Sequence, residues 1–121
     1  MSAPNVVNVA TINSNSIHQV VTTSSVKYLG NAAASSKVFK LTSLYVANYG
    51  AAAASITVYF GTNSAVDTAR PLFYQISIPV NTTLVLIDKN SGINIKEDEG
   101  IYLLSSAATT LMASASWEEI S

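Results

Sequence analysis

From residue 71 onward the chain is a series of short apolar–polar alternations broken at regular intervals by turn chemistry, and this cadence restricts the fold most. Runs at 72–78, 83–87, 93–95, 101–105 and 109–120 are separated by Pro79, by Asp88-Lys89-Asn90-Ser91-Gly92 and by Lys96-Glu97-Asp98-Glu99-Gly100. Strands of this length at about 8–12-residue spacing build antiparallel sandwiches or barrels. In the last run Leu111, Ala113, Ala115 and Trp117 share one face, with Met112, Ser114, Ser116 and Glu118 opposite. Small residues on both faces imply close sheet packing, with Trp117 supplying bulk near the strand end.

The first seventy residues continue the pattern less evenly. Residues 5–12 are β-branched and strand-like, 13–16 (Asn-Ser-Asn-Ser) read as a turn cluster, 17–26 favour strand, and 30–36 form a small-residue loop. This opening third has few large apolar side chains and is expected to act as an arm, docking on a neighbouring subunit. From Val38 the apolar signal strengthens, but Phe39, Leu41 and Tyr45 have one parity and Leu44 and Val46 the other, so both faces are expected to be partly covered. Residues 55–60 alternate cleanly, placing Ile56, Val58 and Phe60 inward and Ser55, Thr57 and Tyr59 outward. With the turn at Asn48-Tyr49-Gly50 and the alanine linker 51–54, segments 38–47 and 55–60 are expected to pair as a hairpin. No window carries a sustained 3.6-residue period, and 65–69 is too short for a helix. The expectation is one all-β domain, an antiparallel β-sandwich of about seven to nine strands, jelly-roll or immunoglobulin-like. Residues 1–36 would supply the arm and first strands, and 37–121 the body of the sandwich.

Composition narrows the function. The chain is 49% hydrophobic but only 11% charged, against roughly 25% charged in ordinary soluble domains. Ser, Thr, Asn and Ala fill nearly half of it, and the net charge is −1. So little charge solubilises a surface poorly, which fits a surface covered in an assembly. The six Lys and Arg are scattered, with no basic stripe to replace phosphate counterions, so nucleic acid is not an expected partner. No cysteine is present for a disulfide or thiolate metal site. The N-terminus lacks a secretory signal pattern, and no stretch approaches the ~20 apolar residues of a membrane helix.

Chemistry-bearing constellations are sparse. His18 is the one histidine and has no companion at ligand spacing, so a structural or surface role is favoured. Glu97-Asp98-Glu99 concentrates three of seven carboxylates, but the spacing from Asp88 and Asn90 does not fit a calcium loop; a solvated acidic turn explains it better. No nucleophile elbow or phosphate loop occurs. A glycosidase pair would need Asp67, Asp88 and Glu118 to converge in space. Asn81-Thr82-Thr83 is a glycosylation triplet with meaning only on a secretory route. Catalytic, cofactor and metal residues are therefore expected to be none. The tyrosines and Trp117 suit subunit contacts or sugar stacking as well as packing.

The segments Lys37-Val38-Phe39-Lys40-Leu41-Thr42-Ser43-Leu44-Tyr45-Val46-Ala47-Asn48, 77–89 and 95–100, the opening Asn5-Val6-Val7-Asn8-Val9 and the closing Trp117-Glu118-Glu119-Ile120 give the chain its likeness to known proteins. It resembles small virion structural proteins of tailed bacteriophages, including cyanobacterial phages. The resemblance spans nearly the whole chain but lies in strand and turn patterns; at 49–54 the expected Asp/Asn-Gly turn is missing. It implies a particle component made in the bacterial cytoplasm, most simply a capsid decoration protein that binds the major capsid protein as a homo-oligomer, with a trimer preferred. A tail, neck or fibre adaptor and a carbohydrate-binding module are the alternatives. The interface residues expected are Val6, Val7, Val9 and Ile12 in the arm, with Tyr49, Tyr59 and Trp117.

Overall fold

The structure, a computed structural model, describes residues 12–88, 93–108 and 110–121. Among the described residues nine strands are formed: β1 (Ile12–Val20), β2 (Val26–Asn31), β3 (Val38–Asn48), β4 (Ala54–Thr62), β5 (Val66–Ile78), β6 (Thr83–Ile87), β7 (Ile93–Ile95), β8 (Glu99–Ser105) and β9 (Leu111–Ile120). The first sheet runs β1-β9-β3-β6, with β7 also on β3; the second runs β2-β8-β4-β5. Every pairing is antiparallel. With β6 and β7 taken as one interrupted strand along β3, this is the order of a jelly roll, a double sheet built of two Greek keys. The sandwich expected from sequence is present, and its topology is resolved.

The core lies between the sheets. Leu41, Leu44 and Val46 of β3 and Leu111, Ala113 and Ala115 of β9 are buried with Ile56 and Val58 of β4 and Ile101 and Leu103 of β8. Ala113 and Ala115 leave room for a long side chain from the opposite layer. Tyr28 takes it: from β2 its hydroxyl reaches the carbonyls of Ala113 (2.5 Å) and Ile17 (3.1 Å), sharing one proton between them.

Three local expectations are corrected. β3 and β4 do not form a hairpin; they lie in different sheets, and β4 pairs with β5 and β8 instead. The cause is the corner at Asn48, a buried side chain whose amide donates to the carbonyls of Ala52 (2.9 Å) and Ile78 (2.8 Å) while its oxygen accepts from the Gly50 amide (3.0 Å). These bonds hold the chain in a bend that leads from one sheet into the other. Asn31 does the same between β2 and β3, donating to the carbonyls of Lys37 (2.8 Å) and Ile95 (3.1 Å) and accepting from Ser35 (2.5 Å).

The mixed parity of β3 comes from a β-bulge and not from two covered faces. Between Leu41↔Trp117 and Ser43↔Ser116 the register advances two residues on β3 for one on β9. Thr42 is the extra residue, and it inverts the alternation, so that Leu41 before it and Leu44 and Val46 after it all point into the core. Lys40 and Tyr45 stay exposed. Finally, residues 13–16 lie within β1, paired in unbroken register with β9 from Ile12↔Ile120 to Val20↔Met112. Tertiary pairing overrides the turn preference of Asn and Ser there.

Candidate functional site

The outward face of the first sheet presents a polar surface across three strands. Ser14, Ser16 and His18 of β1 stand opposite Glu118, Ser116 and Ser114 of β9, which stand opposite Lys40, Ser43 and Tyr45 of β3. The bulge at Thr42 dents this face. Thr42 turns its hydroxyl onto the Ser116 carbonyl (3.0 Å), and a shallow groove of about 850 Å³ opens over the three strands, lined among others by Ser16, Lys40, Tyr45, Trp117 and Glu118. Hydroxyls, one amine and one carboxylate beside the exposed Tyr45 ring equip it to hydrogen-bond and stack against a polar, flat partner, whereas the Trp117 ring packs toward the core.

On the opposite, core-facing side of β9, Glu119 braces the strand end. Its carboxylate accepts from Asn15 of β1 (2.8 Å) and from the Trp117 indole (3.2 Å), and pairs with Lys37 (3.3 Å). Three donors from separate parts of the chain thus converge on one anion, which locks β1 to β9 and orients Trp117. The Trp117 ring also lies 6.3 Å from Phe39, inclined by 30°.

Among the expected interface residues, Ile12 is exposed at the start of β1 and Tyr49 is exposed in the corner after β3. Trp117 is half-buried and lines the groove. Val6, Val7 and Val9 lie outside the described residues. Tyr59 is corrected: it is 8% exposed and unavailable to a partner. It sits between Tyr102 on β8 and Pro71 on β5. From Ala54↔Ile78 to Gly61↔Val66, β4 advances seven residues while β5 advances twelve, so a heavily bulged β5 runs beside it.

Next to Tyr59 three glycines line up across the second sheet, Gly30 against Gly100 against Gly61. Lys27 reaches over this row to the Asn63 carbonyl (3.0 Å) and side-chain oxygen (3.1 Å), and Tyr102 donates to the Thr62 carbonyl (2.9 Å). A Cβ at Gly61 would strike the Ala65 carbonyl and the Tyr102 ring. This face is closed by the chain itself. Burial raises the pKa of Tyr102, with the nearby Asp98 carboxylate adding to the shift.

The remaining candidates stay apart. Asp67 lies on β5, bonded to Arg70 at 3.0 Å, whereas Glu118 faces outward from the other sheet, so the two are not brought together. In the acidic turn, Glu97 accepts from the Ser36 amide (3.1 Å) and Glu99 from the Lys96 amide (2.9 Å). Both carboxylates therefore tie down backbone, the structural role expected for a turn. Among the described residues no group of three or more His, Asp or Glu side chains is placed to hold a metal ion. Lys40, Tyr45 and Glu118 carry the site, and of these only the outward parity of Glu118 on β9 was visible in sequence. No protein-family model and no curated protein matches the chain.

Proposed function

We propose that the chain is a non-enzymatic structural component of a tailed-bacteriophage particle, a decoration protein that sits as a homo-oligomer on the capsid and reinforces it. The observation that carries this is a sandwich with very little charge that leaves large apolar side chains in the open, Ile12, Tyr49, Tyr74 and Val85 each at least half exposed. A surface of this kind is stabilised when a neighbour covers it, at ~25 cal/mol per Å² of apolar area, and many copies multiply the gain. The sequence resemblance to small virion proteins agrees, and jelly rolls recur in viral capsid domains, a likeness of fold only.

Quantitative mass spectrometry of purified particles of the encoding phage tests the assignment. Hundreds of copies per particle are expected. A dozen or fewer would move the protein to the neck, tail or fibre as an adaptor, and its absence from particles would overturn the virion role altogether.

A second use is favoured by the groove. Tyr45 beside hydroxyls, Lys40 and Glu118 offers the stacking and hydrogen-bonding groups that saccharides need. A glycan array that shows binding, lost on Tyr45→Ala but kept on Tyr49→Ala, would identify a carbohydrate-binding module; an array without signal would remove it.

A further inference from the structure

The two sheets have four edges, and three of them carry features that block further pairing. β5 is irregular and contains Arg70 and Pro71. β6 and β7 are short, five and three residues, and interrupted. β2 has six residues, with Lys27 and a register shift within it. Bulges, prolines, charges and short length are the means by which sheet edges avoid one another. β1 has none of them. It is nine residues long, Ile-Asn-Ser-Asn-Ser-Ile-His-Gln-Val, with no Pro, Lys, Arg, Asp or Glu and no break in register, and all of it but Ile17 is exposed.

The direction of its free main-chain groups follows from the pairing with β9. The Val21 amide donates to the Leu111 carbonyl (2.9 Å) in the same register as Val20↔Met112. Hydrogen-bonded and non-bonded pairs alternate along an antiparallel ladder. The odd residues of β1 therefore spend their N–H and C=O groups on β9. Ile12, Ser14, Ser16, His18 and Val20 turn theirs to the edge that no other described strand pairs.

We infer that this edge pairs with β1 of a second copy, antiparallel and centred on Ser16, so that the first sheet runs on unbroken through a twofold dimer. The second copy is the occupant that the sequence of β1 fits. In this register Ile12 meets Val20 of the other copy, Ser14 meets His18, and Ser16 meets itself. The exposed apolar side chains at the two ends of β1 then cover each other on the outer face. Asn13 faces Gln19 on the other. No charge opposes a like charge. Each even position becomes a hydrogen-bonded pair, up to about ten main-chain bonds in all, and any shifted register leaves part of β1 unpaired. The inference goes beyond the virion assignment and holds or fails without it.

The full chain in solution provides the test. Sedimentation velocity is expected to give a dimer. Ser16→Pro removes an N–H that β9 does not use, and proline is tolerated where that group faces off the sheet. Ser16→Lys sets two like charges across the axis. Both variants are expected to melt as folded proteins yet self-associate about ten- to a hundredfold more weakly. Register is read with single cysteines in a chain that has none: a short bismaleimide should join Ser16→Cys chains to each other, and Ser14→Cys to His18→Cys in a mixture more than either alone. A monomeric full chain overturns the inference, including the case where deleting residues 2–11 releases the edge to dimerise. So does a dimer or trimer that Ser16→Pro and Ser16→Lys leave unchanged.

Discussion

Tyr28 spans the sandwich from β2 to the β1–β9 pair, and burial pushes its phenol well above the ordinary tyrosine range. The consequence for pH has a definite sign. Below about pH 10 the phenol is protonated in both folded and unfolded chains, and its contribution to stability is complete. Above that pH the unfolded chain loses the proton first, and stability falls by about 1.4 kcal/mol per unit until the folded phenol ionises too. Tyr28→Phe should cost roughly 1 kcal/mol at pH 8, for one lost hydrogen bond. It should draw level with the parent near pH 11, because it lacks the ionising group; urea titrations at the two pH values measure both. Asn48→Ala should do more damage, roughly 2–4 kcal/mol in the same assay, because it strands two carbonyls and an amide at a buried corner. These residues were poorly legible in sequence. Asn31 and Asn48 look like ordinary loop punctuation, and only the fold shows them bonding to carbonyls up to 64 positions away. Tyr59 was misjudged for a related reason: alternation tells which face a side chain takes, but not whether other parts of the chain cover that face.

At the level of elements the sequence was more informative. Runs at 83–87 and 93–95 coincide with β6 and β7, and the faces of β9 are as its alternation implies. Partner choice was not legible, because only β4 and β5 pair as neighbours in sequence; the other pairings join distant segments, which local periodicity cannot encode. The parity slip in β3 was present in the sequence, and a bulge explains it better than two covered faces. Just past the alternating run 55–60, Gly61 lies in β4 under Tyr102. Gly61→Ala should destabilise by about 1–3 kcal/mol through overpacking, read as a drop in the denaturation midpoint at unchanged slope. Glu119 acts on one element. Glu119→Ala should loosen β1, raising hydrogen exchange across 12–20, and leave the protection of β3 and β8 near the parent's.

The whole molecule gains a direction from the same geometry. A twofold axis between antiparallel β1 strands stands perpendicular to the sheet, so both outer faces, each with its groove, look the same way. A single side of the dimer would then present two grooves to a particle surface, with the closed Tyr59–Tyr102 face turned away. Two weak contacts held at a fixed spacing bind a repetitive lattice more tightly than one, commonly by 10²-fold or more. Occupancy on purified capsids should therefore drop steeply in His18→Pro, which blocks the β1 edge at a position outside the groove lining. In Tyr45→Ala it should drop while the sedimenting species remains a dimer. Equal occupancy for parent and a monomeric His18→Pro would mean that the capsid reads single subunits. Equal occupancy for parent and Tyr45→Ala would move the attachment surface off the groove, toward the exposed Tyr49 corner.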